Sequence, residues 1–339
     1  MMCRLVIIFA LVLTVWGCAD EVVLPEAQPL KASAEALSTL YKIDKGPYQV
    51  VSSTDLILAV TADSELQLSV FYPAADDEKF PLLLFSHGNW SDKDQYDAVI
   101  NHWVSHGYVV IAPNHLDCCS AMHGIINSIR YGQFGLIEER MRDFALLLDN
   151  LDRVEQLVAG LSGKIDHHRI AATGHSFGAF SAQQFGGAGT FNPDTEQFVY
   201  FRDARIKAIV AISPPGPMFD VINDKSWQQM DQPMLLTTGT WDSNARFWPD
   251  WRLHKMSFDT ATPGVNYALI TQGADHYLGN LICRLDREQV AQHDALKMLN
   301  VTTIAFLDAY VKELPAAKEF IVSDSLAVVS DGFSVIERR

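Results

Sequence analysis

From residue 81 onward one pattern repeats along the chain. A short, uninterrupted apolar run is followed by a longer stretch whose apolar positions recur three or four residues apart. The runs are Pro81–Ser86, Tyr108–Pro113, Arg169–Gly174, Ile206–Ser213, Pro233–Gly239 and Asn266–Thr271. Strands apolar on both sides belong in a parallel sheet covered by helices on both faces. The stretches between carry helical spacing at Tyr96–His106, Leu136–Leu161, from Ala179 to Phe185 and at Ala295–Val311. Two earlier segments alternate instead, at Leu56, Leu58, Val60 and at Leu66, Leu68, Val70, Tyr72, as half-exposed strands near a sheet edge do. The expectation is an α/β fold with a mostly parallel, eight-stranded sheet and right-handed crossovers. In such sheets ligands bind beyond the carboxyl ends of the strands.

Composition narrows the partners. Of 339 residues, 48% are hydrophobic, enough to bury a core. Lys and Arg total 26 against 41 Asp and Glu, a net charge of −15. That balance excludes nucleic acid as a partner and disfavours adsorption to anionic lipid. The N-terminus reads as an address. Arg4 precedes the apolar run Leu5–Trp16, whose twelve residues fall short of the ~20 that span a bilayer. Gly17-Cys18 follows, and resembles the cleavage site of bacterial lipoprotein signals, in which Cys18 would carry the lipid. Residues 1–18 are therefore expected to be a signal, 19–46 a tether, and 47–339 a single domain, exported and held at the cell envelope or released. Nothing in the residues specifies an oligomer.

Gly174-His175-Ser176-Phe177-Gly178 stands between the run Arg169–Gly174 and a helix opening on small residues (Ala179, Ser181, Ala182). A G-x-S-x-G between strand and helix forces a tight turn that lifts the serine hydroxyl above the sheet. A serine hydroxyl needs a histidine to take its proton, and the histidine needs a carboxylate to orient it. Asp242 follows the run Pro233–Gly239, and His276 follows Asn266–Thr271, each just past a strand's carboxyl end. The chain order Ser176, Asp242, His276 fits a catalytic triad. Asp220 and Asp275 are the alternative acids, Asp275 reading more naturally as a loop cap. His175 is expected to pack beside the serine. Ser86-His87-Gly88-Asn89-Trp90 closes an earlier apolar run, so the backbone N–H groups of Asn89 and Phe177 are the candidate oxyanion hole. Trp90, Trp241 and Tyr277 fall on loops at strand ends and are candidate pocket residues. His115, at another strand end, divides between packing and substrate contact. Residues 186–203, polar and Gly-rich, are a candidate cap, and no long apolar lid is evident.

Cys118, Cys119 and Cys283 accompany Cys18 in the exported chain. A disulfide from Cys283 to Cys118 or Cys119 is open, because neighbouring cysteines do not readily bond to each other. His115, Asp117, Cys118, Cys119 and His123 match no standard zinc spacing, so no metal is expected.

The segments Leu82–Gly88, Ser105–His115 and Gly174–Gly178 together resemble the α/β-hydrolases, nearest to the platelet-activating-factor acetylhydrolase and predicted dienelactone hydrolase group. The resemblance runs from about Gly46 to about Val311. It implies the α/β-hydrolase fold, no cofactor, and ester hydrolysis through an acyl-enzyme on Ser176, with a small-molecule or polymeric ester as substrate. Ser176 stands where dienelactone hydrolases carry cysteine. The acid-bearing position of the acetylhydrolases, after Ile206–Ser213, holds no acid before Asp220. Short or medium acyl or aromatic esters are expected. The alternatives are a non-catalytic hydrolase-fold binding module, or the same triad turned to polyesters, amides or acyl transfer.

Overall fold

A computed structural model describes residues 22–61, 64–76 and 78–339. The signal expected at 1–18, with Cys18, lies outside the described residues. The strands are β1 (Val50–Thr61), β2 (Ser64–Pro73), β3 (Phe80–Ser86), β4 (Val109–Pro113), β5 (Ile165–His175), β6 (Gly189–Asn192), β7 (Gln197–Tyr200), β8 (Ile206–Ile212), β9 (Met234–Gly239), β10 (Asn266–Thr271) and β11 (Ser334–Arg338). Among the described residues nine of them form one sheet, in the order β1-β2-β4-β3-β5-β8-β9-β10-β11. The stretch from β4 to β10 is parallel, while β1, β2 and β11 are antiparallel at the edges. The eight expected strands are all present. The ninth, β11, is a short polar-flanked segment (Ser-Val-Ile-Glu-Arg) that pairs with β10 at the sheet edge. This order and its helical crossovers are those of the α/β-hydrolase fold.

Alternation within each strand sorts the core into two layers. Leu83, Phe85, Val110, Ala171 and Val210 face one side, with Trp103 and Phe306 from helices Asp97–Ser105 and His293–Tyr310. Leu82, Leu84, Ile111, Ala172 and Ile209 face the other, with Phe144 and Phe180 from helices Ala121–Asp149 and Phe177–Phe185. Trp103 is fully enclosed and its indole N–H donates to Thr303 Oγ1 at 2.9 Å. Truncating a side chain of this kind costs about 3–5 kcal/mol.

Three segments depart from expectation. Residues 25–46 are not a free tether. Leu37 and Leu40, three apart around the short helix Ala34–Leu37, enter the first core layer, Tyr41 and Lys42 bond Asp308, and Pro25 accepts from the Trp241 indole at 2.7 Å. Residues 186–203 form the β6–β7 hairpin, hydrogen-bonded along the 213–233 connection through Val221 and Ser226. The helix expected over Leu136–Leu161 begins at Ala121, is broken at Gly132 (φ 68°), and ends at Asp149 before a separate turn Leu151–Leu157. Its first part places Met122, Ile125, Ile126 and Ile129 on one stripe facing solvent, exposed at 76, 46, 56 and 81%. Gly124 lies on the inner side, where a Cβ would meet the Trp90 ring at 1.8 Å. Among the described residues no helix is long and apolar enough to cross a membrane.

Candidate active site

Ser176 occupies the turn between β5 and helix Phe177–Phe185 with φ 54° and ψ −123°. A side chain held there costs about 1–3 kcal/mol, which the surrounding contacts must supply. The flanking positions explain the motif. A Cβ on Gly174 would lie 2.3 Å from the Gly178 carbonyl oxygen, and one on Gly178 would lie 2.1 Å from that of Ser86. The Ser176 N–H donates to Ile212 O at 2.9 Å, pinning the turn to β8.

The structure brings the three widely spaced residues together. His276, on the loop after β10, places Nε2 2.9 Å from Ser176 Oγ. Its Nδ1 lies 2.8 Å from Asp242 Oδ1, on the loop after β9. The Thr238 hydroxyl donates to Asp242 Oδ2 at 3.2 Å. Asp242 is fully buried. Burial opposes its charge, but His254 and His276 together outweigh that and hold its carboxyl well below the usual carboxylate range. The alternative acids are elsewhere. Asp220 is exposed. Asp275 accepts from the N–H groups of Tyr277 and Gly279 and pairs with Arg287, as a loop cap does.

Asn89 and Phe177 flank the serine from β3 and from the first turn of the following helix, and neither N–H donates to another group among the described residues. The loop that carries Asn89 is held from two directions. Arg284 donates to Asn89 O at 2.8 Å, and Gly88 N–H donates to the Tyr96 hydroxyl at 2.8 Å. Tyr96 in turn lies 3.3 Å from His175 Nδ1, and His175 Nε2–H donates to His276 O at 2.8 Å. His175 therefore packs, as expected, and links the loop of the base to the loop of Asn89. Burial and the neighbouring His276 push its pKa well down, keeping the ring neutral.

The pocket residues separate. Tyr277 and Trp241 line a groove of about 590 Å³ beside His276, with Leu24 and Val290. Trp90, with φ 60°, packs its ring on Gly124 at the base of the outward-facing stripe. His115 is not a pocket residue. Its ring is enclosed, Nε2 lies 2.9 Å from Ser86 Oγ and Nδ1 2.8 Å from Asp143 Oδ2, so neither nitrogen faces the cleft. Arg140 completes that network. It grips Asp117 with two N–H groups, at 3.0 and 2.7 Å, and donates to Ser86 Oγ and His87 O. Asp117, Arg140 and Asp143 carry no spacing that reveals them in the sequence.

Cys118 and Cys119 are bonded to each other, contrary to expectation, and Cys283 is a buried thiol. The pairing follows from placement: Cys119 adopts φ 77° and its N–H donates to Ser91 O, while Cys283 turns inward beside Gly88 and Tyr96. One further histidine lies on the site. His254 Nε2 is 3.0 Å from Asp242 Oδ1. Asp242, His254 and His276 have metal-ligand chemistry and are clustered; the His276 contact at 2.8 Å is a hydrogen bond, and the His254 contact at 3.0 Å is a close approach without hydrogen-bond alignment.

A family model described as chlorophyllase matches residues 41–185, a stretch that contains β3, β5 and the serine turn and stops before Asp242 and His276. Platelet-activating factor acetylhydrolase of Cavia porcellus is 24% identical over 277 residues, covering 70% of this chain and 59% of that protein. The enzyme of the same name from Bos taurus is 26% identical over 296 residues, covering 75% and 62%. The match thus spans about three fifths of the length of these relatives. Together with the fold, these similarities support the α/β-hydrolase serine esterases as the family that the chain resembles.

Proposed function

We propose that the chain is a serine ester hydrolase that works through an acyl-enzyme on Ser176. The observation that carries this reading is the hydrogen-bonded series Ser176–His276–Asp242, at 2.9 and 2.8 Å, ending on a serine in a strained turn. In the first step Ser176 Oγ forms a bond to the ester carbonyl carbon while His276 Nε2 takes its proton. Asp242 fixes the ring and stabilises its charge. The Asn89 and Phe177 N–H groups receive the oxyanion, each such donor being worth about 2.7–4 kcal/mol of barrier. The carbon–oxygen bond to the alcohol then breaks, and His276 returns the proton to the leaving alcohol. Water, deprotonated by His276, attacks the acyl group and releases the acid and the free serine.

Short or medium acyl esters and aromatic esters suit the groove beside His276, which offers Tyr277 and Trp241. The similarity to proteins named for an acetylhydrolase activity points the same way for the acyl group. The stripe Met122–Ile129 beside Trp90 adds an apolar rim that suits an ester with a long apolar alcohol part or a polymeric one. Leu24 lines the same groove and Pro25 bonds Trp241 on its wall, so a lipid on Cys18 would hold the cleft close to the membrane that bears it.

Hydrolysis of p-nitrophenyl esters from C2 to C16, by residues 19–339 and by Ser176→Ala, tests the reading. Serine-dependent turnover strongest at C2 to C8 is expected. A Ser176→Ala protein as active as the wild type would overturn it. A folded wild type inert at every length would favour a binding module of the same fold.

A further inference from the structure

Asp242 serves two histidines, and ester hydrolysis as described uses one. His254 lies in the turn Trp251–Lys255 with its ring wholly enclosed. Its Nδ1 is 2.7 Å from the carbonyl oxygen of Pro214, and its Nε2 is 3.0 Å from Asp242 Oδ1. Neither neighbour has a hydrogen to give. A carbonyl only accepts, and the same Asp242 oxygen already receives the Nδ1–H of His276. A neutral imidazole has one N–H, which Pro214 O takes, and its bare Nε2 would then lie 3.0 Å from the carboxylate with no charge to offset it. The Nε2 contact is not aligned as a hydrogen bond, so what it carries is charge, a ring nitrogen 3.0 Å from a carboxylate oxygen. A doubly protonated ring keeps the Nδ1–H donated to Pro214 O and sets a positive charge against the carboxylate.

We infer that His254 is a standing imidazolium that positions Asp242 and partly cancels the carboxylate charge felt by His276. The inference rests on the triad reading for its consequence, not for the charge itself. The surroundings fit. The indole of Trp248 lies against both rings, with centroids 4.8 Å from His254 and 5.2 Å from His276, and its π face favours a cation. The titratable groups that face His254 are Asp242 from the loop after β9 and His276 from the loop after β10, the two rings 5.5 Å apart. His175 lies beyond His276 and is neutral. On its own turn, Arg252 pairs with Asp250, and Lys255 pairs with Glu337. Burial disfavours charge on His254, and Asp242 outweighs it, so its pKa is raised.

The consequence is read in the pH dependence of turnover. A charge about 5–6 Å from a titrating group moves its titration by about one unit. In His254→Gln the acid limb of the pH profile of kcat/KM is expected to shift up by about one unit, with the KM change smaller than the kcat change. A uniform loss at every pH, with the limb unmoved, would show a merely structural role. The charge is read separately on Ser176→Ala, which needs no turnover and no His254 variant to fold. Nitrogen-15 spectra of its histidine rings at pH 8 should show both nitrogens of His254 protonated. One protonated and one bare nitrogen would overturn the inference. Should the wild type prove inert on esters, the nitrogen spectra still decide the ion pair, while the function reading fails alone.

Discussion

Ser176, His276 and Asp242 are joined by contacts of 2.9 and 2.8 Å, and so are Ser86, His115 and Asp143, one strand away, at 2.9 and 2.8 Å. The connectivity is the same and the surroundings are not. Ser176 sits at φ 54° in a turn and keeps 7% of its surface exposed, with unengaged N–H groups from Phe177 and Asn89 beside it. Ser86 ends a strand, is fully enclosed, and receives an N–H from Arg140 at 3.0 Å. The carboxyls differ too. Asp242 is held well below the carboxylate range by its two imidazoles, against the burial that opposes them. Asp143 is pushed well above it by burial and by Glu139. Burial, then the Arg140 charge, makes a proton on His115 unfavourable. The comparison teaches that a serine–histidine–aspartate series is not a nucleophile by connectivity. A strained and reachable serine, an ionised carboxylate and waiting donors make it one. The second series instead braces β3 beneath the loop of Asn89.

Alanine at each serine is the strongest way to break this contrast. Ser176→Ala should lower kcat by about 10⁶-fold, as for triad serines generally, while Ser86→Ala keeps most of the activity. Ester hydrolysis by the two purified variants decides it, and a Ser86→Ala loss as deep as that of Ser176→Ala would erase the distinction. Next come the acids. Asp242→Asn should cost about 10⁴-fold in kcat, and Asp143→Asn little, read from the same assay. The bracing role has its own signature. Arg140→Met leaves Asp117 buried without its partner, and chemical unfolding should show a loss of about 3–5 kcal/mol. Replacing Asp117 by Leu in the same chain should recover part of it.

The smallest expected effects lie in pH. The folded-state pKa of Asp242 is depressed, so its contribution to stability is present above the unfolded carboxyl pKa, about 3.9, and is lost as pH falls through the folded value. Asp143 has the opposite sign. Its raised folded pKa favours the fold at low pH, and that contribution is lost as pH rises. Urea unfolding should therefore show Asp143→Asn gaining on the wild type between pH 4 and pH 8, and the deficit of Asp242→Asn shrinking only as pH falls below about 3.9.

Much of this was legible from the residues, for physical reasons. Buried parallel strands announce themselves as apolar runs, and catalytic groups in this fold sit where those runs end, so Ser176, Asp242 and His276 follow from local pattern plus order. β11 did not follow, because an edge strand needs only one apolar face and has few residues to show it. His254, Tyr96, Arg140 and Asp143 also stayed hidden. Each acts through a partner far along the chain, Tyr96 through His175 and Arg140 through Asp117 and Ser86, and no spacing encodes such contacts. His115 divides between packing and substrate contact in the sequence because a strand-end position says which end of the sheet a side chain occupies, not whether it opens to the cleft. The stripe Met122–Ile129 has the spacing of a core face, yet it looks outward, since Gly124 and Trp90 fill the inner side.

Covalent labelling tests the central claim most directly. The folded protein is treated with a fluorophosphonate, digested, and its serine peptides weighed. The account predicts one adduct, on the peptide bearing Ser176, abolished in Ser176→Ala and retained in Ser86→Ala. An adduct on Ser86, or none on Ser176 in a folded protein, would contradict it.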